Sequence, residues 1–312
     1  MNYSYTFCFA LVILSLYGDT KGQIVLGTKA EEGTLNFLVK LEVSYLVEDF
    51  NKVIPNYQTC AGAIIEWNWI LTAAHCFKDF KRKIQGYQVD LKWKKVDVIA
   101  GVKDSMDPNR KIQSVANNDG RVFLHPGRDG HKNDVALIKL KQNLTQSAAV
   151  GTAVFLETPM DYDYNKKISE GGGVDCVVQG WGKTTLLFDK KTKEWGYAHF
   201  PQNAREAKIP LYKHHDGQFF YTKGQKIFPK VAPGDSGAPV VCAPVKQVER
   251  DGDVIIEHQD LHKNGLVYSV LSGGWCYGVN NFNESCQDEN FGVDIRVVDG
   301  WIQEKIKEKK HL

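Results

Sequence analysis

Pro233-Gly234-Asp235-Ser236-Gly237-Ala238-Pro239-Val240-Val241-Cys242 is a polar turn, with a glycine on each side of an Asp-Ser pair, that runs directly into a short apolar segment. Gly and Pro punctuate the turn, and the Val-rich segment 238–241 reads as a buried strand. The same grammar recurs outward in both directions. Short runs rich in Val, Ile, Leu and aromatics fall at 37–45, 62–65, 96–100, 135–140, 174–178, 266–271 and 291–297, separated by Gly, Asn, Asp and Pro. Strands this short between turn signals predict an antiparallel sandwich or barrel and argue against βαβ units. Only the end, 298–309, has helical spacing, with Trp301, Ile302 and Ile306 able to share a face. The polar, charged stretch 246–264 reads as an inserted loop, and no internal repeat is visible.

The bulk numbers suit a globular chain with a substantial core. Of 312 residues, 43% are hydrophobic and 24% charged, and a net charge of +2 without a long basic block points to neither nucleic acid nor a membrane surface as partner. The basic end around Lys305 reads as a solvated helix terminus. Residues 7–17 (FCFALVILSLY) form an uncharged apolar run, followed by Gly18, Asp19, Thr20 and Lys21. A bilayer span needs about 20 apolar residues. The run fits a secretory signal, with a buried N-terminal element as the alternative. Export would remove Cys8 and leave an even set, Cys60, Cys76, Cys176, Cys242, Cys276 and Cys286, suited to an oxidising compartment. Spacing alone allows any of their pairings. Asn143-Leu144-Thr145 and Asn283-Glu284-Ser285 are glycosylation sequons in an exported chain.

Three stretches carry chemistry. Leu71-Thr72-Ala73-Ala74-His75-Cys76 puts a His beside a Cys after an apolar strand, Asn133-Asp134-Val135-Ala136-Leu137 puts an Asp at the head of another, and the opening turn presents Ser236. Acyl transfer by a hydroxyl needs these types: a nucleophile, a base titrating near neutrality, and a carboxylate that fixes the tautomer of the base. Glycine beside the Ser lets backbone N–H groups converge on an oxyanion with no Cβ in the way.

In this order, His then Asp then Ser, the stretches resemble the chymotrypsin–trypsin family of serine peptidases, whose triad is the general template for such sites. The resemblance runs from Ile24 to Trp301. It implies two antiparallel six-stranded β-barrels packed face to face, with a C-terminal α-helix. Residues 1–23 would be signal peptide plus short propeptide, 24–148 the first barrel, 149–297 the second and 298–312 the helix, with 24–312 one peptidase domain. It implies Ser236 as nucleophile, His75 as base, Asp134 as its orienting partner, and the N–H groups of Gly234 and Ser236 as oxyanion hole. Ile24-Val25-Leu26-Gly27 resembles the start of the mature family chain, so a freed Ile24 amino group would pair with Asp235 and the chain would be made as a zymogen. Gly180-Trp181-Gly182 matches a further landmark. The implied disulfides are Cys60–Cys76 and Cys176–Cys242. Ala232 stands where the family carries another Cys, which leaves Cys276 to pair with Cys286. Implied partners are protein or peptide substrates and protein protease inhibitors, with a monomer that needs no cofactor or metal.

The chain also departs from the pattern. Gln23 precedes Ile24 in place of a basic residue, Leu26 replaces a Gly, and Ala238 replaces another. By the same resemblance, Lys230 would stand at the floor of the primary specificity pocket, whose walls and base would map to Ser272, Gly274, Gly292 and Asp294. An ammonium there repels basic substrate side chains and attracts acidic ones. Pairing with Asp294 would instead neutralise it and partly fill the pocket, and snorkelling to solvent is the third option. His258 and His262 share an i, i+4 spacing, but Gln259 replaces the Glu of a metalloprotease HExxH, so they read as a solvated loop. The leading expectation is a secreted endopeptidase without trypsin-like specificity. The rival is a weak or inactive homologue that binds or regulates. Esterase action is disfavoured, since the Ser lacks a G-x-S-x-G elbow.

Overall fold

The computed structural model describes residues 28–48, 52–84, 87–155, 174–189, 194–198, 200–213, 218–220, 231–242, 245–250, 253–258, 266–277 and 287–308. In chain order its strands are β1 (Thr28–Lys29), β2 (Leu38–Val47), β3 (Lys52–Glu66), β4 (Trp69–Thr72), β5 (Phe80–Ile84), β6 (Tyr87–Ala100), β7 (Lys111–Ala116), β8 (Val122–Leu124), β9 (Ala136–Lys139) and β10 (Val154–Phe155). They continue as β11 (Val174–Gly180), β12 (Thr185–Asp189), β13 (Glu194–Ala198), β14 (Arg205–Lys213), β15 (Gln218–Phe220), β16 (Pro239–Cys242), β17 (Val245–Arg250), β18 (Asp253–His258), β19 (Leu266–Tyr277) and β20 (Gln287–Asp294). Helix α1 (Ile295–Glu308) closes the described chain.

Two large sheets result. The first runs β5-β6-β2-β3-β4-β9-β8, with β7 on β6. The second runs β1-β14-β11-β16-β19-β20-β15, and an extra β14–β15 pairing closes β14, β11, β16, β19, β20 and β15 into a six-stranded ring. Each sheet holds eight strands; in the second, the two-residue β1 and β10 lie outside the six-stranded ring. The pairing is antiparallel except that two-residue β10 runs parallel to β19.

The short apolar runs of the sequence become strands buried on both faces. Every residue of β4 (WILT) and β16 (PVVC) is buried. One apolar cluster joins Leu41, Val43, Ile70 and Leu137 of the first sheet to Val177, Val241 and Val270 of the second. Packing sheets against each other in this way takes apolar surface out of water at about 25 cal/mol per Å². A polar seam runs beside that cluster. Lys103, 4% exposed, donates to Leu35 O (3.0 Å) and Gln179 Oε1 (2.8 Å), and Gln179 Nε2 donates to Glu206 Oε2 (2.7 Å). Burial pushes the Lys103 ammonium down to about 7 against the pull of Glu32 and Glu206.

Two expectations change. The strand expected over 291–297 stops at Asp294, and the helix begins at Ile295, because the Asp294 carboxylate accepts from Arg296 N at 3.0 Å and caps the first turn. The expected loop over 246–264 holds an antiparallel hairpin, β17 with β18, in register from Val245↔His258 to Arg250↔Asp253. Its sequence signal is the Asp251-Gly252 pair, a favoured two-residue hairpin turn, which outweighs the polarity of the flanking segments. Val298, Ile302 and Ile306 of α1 are buried with the core cluster, and Trp301 meets the His125 ring edge-on at 4.9 Å, which ties the helix to the first sheet. No helix among the described residues is long and apolar enough to cross a membrane.

Candidate active site

His75 sits in a one-turn 3-10 helix, Ala74–Phe77, directly after β4. That turn is anchored twice. Cys76 is bonded to Cys60 of β3, and the buried Tyr45 hydroxyl reaches Cys76 O (3.1 Å) and Lys78 O (3.2 Å). Asp134 precedes β9, which lies beside β4, so strand pairing brings the two residues together.

The Asp134 carboxylate is fully buried and accepts four hydrogen bonds. Oδ1 takes the His75 backbone N–H (2.8 Å) and Arg128 Nε (2.8 Å), and Oδ2 takes His75 Nδ1 (2.6 Å) and the Ser272 hydroxyl (2.6 Å). Burial works against its ionisation, but the bonds and charges from His75, Ser272 and Arg128 outweigh it and hold the carboxyl below the usual range. An ionised carboxylate on Nδ1 fixes the tautomer and leaves Nε2 as the proton acceptor. The Ser272 hydroxyl proton is committed to Asp134, so its oxygen accepts from His131 Nδ1 (3.3 Å). Burial lowers the His131 imidazole against the pull of the Asp134 carboxylate, with smaller pushes in the same downward direction from His75, Arg128 and Lys78.

Ser236 lies in the turn before β16. The turn docks on the first sheet through Ala61 N to Ser236 O (2.8 Å) and on the second through Gly237 N to Leu271 O (2.7 Å). Gly234 and Gly237 have φ of 109° and 83°, where a side chain is strained. The N–H groups of Gly234 and Ser236 donate to no acceptor among the described residues, and no hydrogen bond joins Ser236 Oγ to His75.

Asp235 turns inward, wholly buried, and accepts from Gly182 N (2.7 Å) and Ala232 N (2.9 Å). Burial outweighs those donors and raises its carboxyl to about 6. A Cβ on Gly180 or Gly182 would overlap its oxygens, so Gly-Trp-Gly gives this carboxylate its space. The second disulfide, Cys176–Cys242, joins facing residues of β11 and β16.

Ser272 donates its hydroxyl to Asp134. Gly274 pairs with Asn290 and Gly292 with Leu271 across β19 and β20. Asp294 is held in a two-point ion pair by Arg296, Nε to Oδ1 at 2.9 Å and Nη2 to Oδ2 at 2.6 Å. Asn143 is exposed. Ile24, Lys230, Asn283, Cys286 and the Cys276 side chain lie outside the described residues. Sequence reasoning missed Arg128 and His131, because both belong to a loop with no periodic signal; only their closeness in sequence to Asp134 hinted at them.

Comparison with known proteins agrees with this fold. A family model described as Trypsin matches residues 24–302. Mast cell protease 2 of Meriones unguiculatus is 25% identical over 72% of this chain and 79% of its own length. Trypsin of Sus scrofa is 25% identical over 79% of this chain and 85% of its own. Trypsin-3 of Homo sapiens is 27% identical over 57% of this chain, a match that spans 46% of the human protein. With a family match across most of its length and two packed β-sheets ending in a helix, the chain belongs to the trypsin family of serine proteases.

Proposed function

We propose that the protein is a secreted serine endopeptidase. Ser236 attacks the scissile carbonyl, His75 takes its proton and later protonates the leaving amine, and Asp134 stabilises the imidazolium. The Gly234 and Ser236 N–H groups receive the oxyanion. The observation that carries this reading is the buried Asp134 carboxylate at 2.6 Å from His75 Nδ1, on the same seam where the Ser236 turn docks. Release of Ile24 by a protease that accepts Gln23 would supply a cation to buried Asp235 and order the oxyanion hole. Lys230 would turn primary specificity away from basic residues. The disulfides support an extracellular destination.

The test uses the secreted chain, its N-terminus sequenced, profiled on a peptide library with Ser236→Ala as control. Cleavage that vanishes in Ser236→Ala and prefers acidic residues before the cut supports the protease and the role of Lys230. No cleavage from a chain that begins at Ile24 overturns the enzyme.

One observation favours a second reading, a weak or inactive homologue that binds proteins: Ser236 Oγ is not hydrogen-bonded to His75. Such bonds are often long in ligand-free enzymes and tighten only with substrate. A serine-directed phosphonate separates the two, since an assembled site labels at Ser236 and an inactive homologue does not.

A further inference from the structure

The loop before Asp134 is built to bring a cation back onto it. His125-Pro126-Gly127-Arg128-Asp129-Gly130 is pinned by Arg128 N to His125 O (3.2 Å), by Gly127 N to His125 Nδ1 (3.1 Å) and by a reciprocal Asp129–Lys132 bridge (3.1 and 2.8 Å). Asn133, at φ 50°, donates through its side chain to Gly127 O (3.0 Å), and Val135 N returns to Asn133 O (2.8 Å). The chain thus folds back within six residues, and Arg128 Nε meets Asp134 Oδ1 at 2.8 Å, with the Arg128 side chain 22% exposed and the carboxylate wholly buried.

We propose that Arg128 is a positioning residue that locks the Asp134 carboxylate and offsets part of its charge, so that the His75–Ser236 machinery works to lower pH than Asp134 alone would allow. The inference rests on the serine-peptidase reading of the site. Four donors fill the acceptor positions of Asp134, and only Arg128 among them carries a permanent charge. A carboxylate with a guanidinium on one oxygen offers less negative potential to an imidazolium on the other. The groups bearing on this cluster are the anion Asp134, the cations Arg128 and Lys78, and His131, whose burial disfavours its charged form. Without Arg128 the imidazolium gains stability, so the base stays protonated to higher pH and the acid limb of the rate profile moves up. A unit charge about 6 Å from a titrating group at an effective dielectric of about 20 moves its midpoint by about two units, and partial exposure reduces this to roughly one.

The test compares the processed full chain with Arg128→Gln, which keeps a donor without charge, and Arg128→Lys, which keeps the charge without the planar fork. On a peptide that the wild type cleaves, the acid-limb midpoint of kcat/KM rises by about one unit in Arg128→Gln. Its rate one unit below the wild-type midpoint falls about tenfold, KM changes less than twofold, and Arg128→Lys restores most of the shift. Coincident profiles in folded variants overturn the proposal. Should Arg128→Gln not fold, Arg128→Met and Arg128→Lys make the same comparison. Histidine-labelled NMR follows the His75 ring with pH without any turnover. If no chain cleaves peptide, the peptidase reading fails, yet a His75 titration displaced upward in Arg128→Gln still supports the role of Arg128, and an undisplaced one refutes it.

Discussion

Replacing Gly237 by Ala tests whether the Ser236 turn is held by the seam between the sheets. Gly237 has φ 83°, and a methyl there would overlap Thr72 Oγ1 and Ala61 O and stand 2.9 Å from Ala73 N. None of these can yield cheaply. Ala61 and Ala73 are buried backbone of the first sheet and its exit, and the buried Thr72 hydroxyl already donates to Ala61 O at 2.7 Å. The left-handed conformation costs an alanine about 1–2 kcal/mol. Overpacking adds about 1–3 kcal/mol. Loosening the bonds from Ala61 N to Ser236 O and from Gly237 N to Leu271 O adds about 1 kcal/mol each. The sum is roughly 4–7 kcal/mol, in the range reserved for core disruption. Gly120→Ala is the control, because Gly120 also has a positive φ (63°) but a Cβ there meets nothing within 4 Å. It loses only the conformational part, about 1–2 kcal/mol. Urea unfolding of both variants, with activity measured alongside, reads the difference. A Gly237→Ala loss within about 1 kcal/mol of the Gly120→Ala loss refutes the account, since the seam would then have room for a methyl.

Tyr45→Phe removes the hydroxyl that ties the His75 turn to β2; we expect a loss of about 1–2 kcal/mol by denaturant unfolding and a fall in kcat with KM little changed, and an unaltered kcat removes the anchoring role. Asp235, raised to about 6 when buried, is protonated in the folded chain and ionised in the unfolded one between about pH 4 and 6, so stability falls as pH rises through that window. Asp235→Asn should abolish that slope, and so should processing to Ile24 if the new amino group reaches the carboxylate; identical slopes in all three chains exclude a buried neutral carboxyl.

The architecture was legible because its signals are local. Short apolar runs between Gly, Asn and Pro have one economical solution, antiparallel sheets, and β16 is a strand that the run 238–241 already outlines. Legibility failed where one side chain changes the course of the backbone. Asp294 looks like the tail of a strand until its carboxylate caps the next turn, and the pairing with Arg296 then depends on that helical turn existing. The hairpin of β17 and β18 was hidden by its polarity, although Asp251-Gly252 was in view.

The site divides in the same way. His75, Asp134 and Ser236 are visible as residue types in short distinctive contexts, but what surrounds Asp134 is assembled from three separate stretches: the 3-10 turn after β4, the 125–134 loop and β19. Ser272 shows why such an assembly resists prediction. The resemblance maps it to the specificity pocket, and its hydroxyl, where β19 shifts register against β20 between Leu271 and Gly273, also donates to the Asp134 carboxylate. The seam explains the rest. The Ser236 turn belongs to the second sheet by sequence and to the first by its hydrogen bond to Ala61, so neither sheet alone defines where the serine stands. Lys103, in the loop after β6, spans the same divide by donating both to Leu35 O in the turn before β2 and to Gln179 of β11. A sequence read segment by segment can name the groups that react, while their relative placement follows from how the two sheets meet.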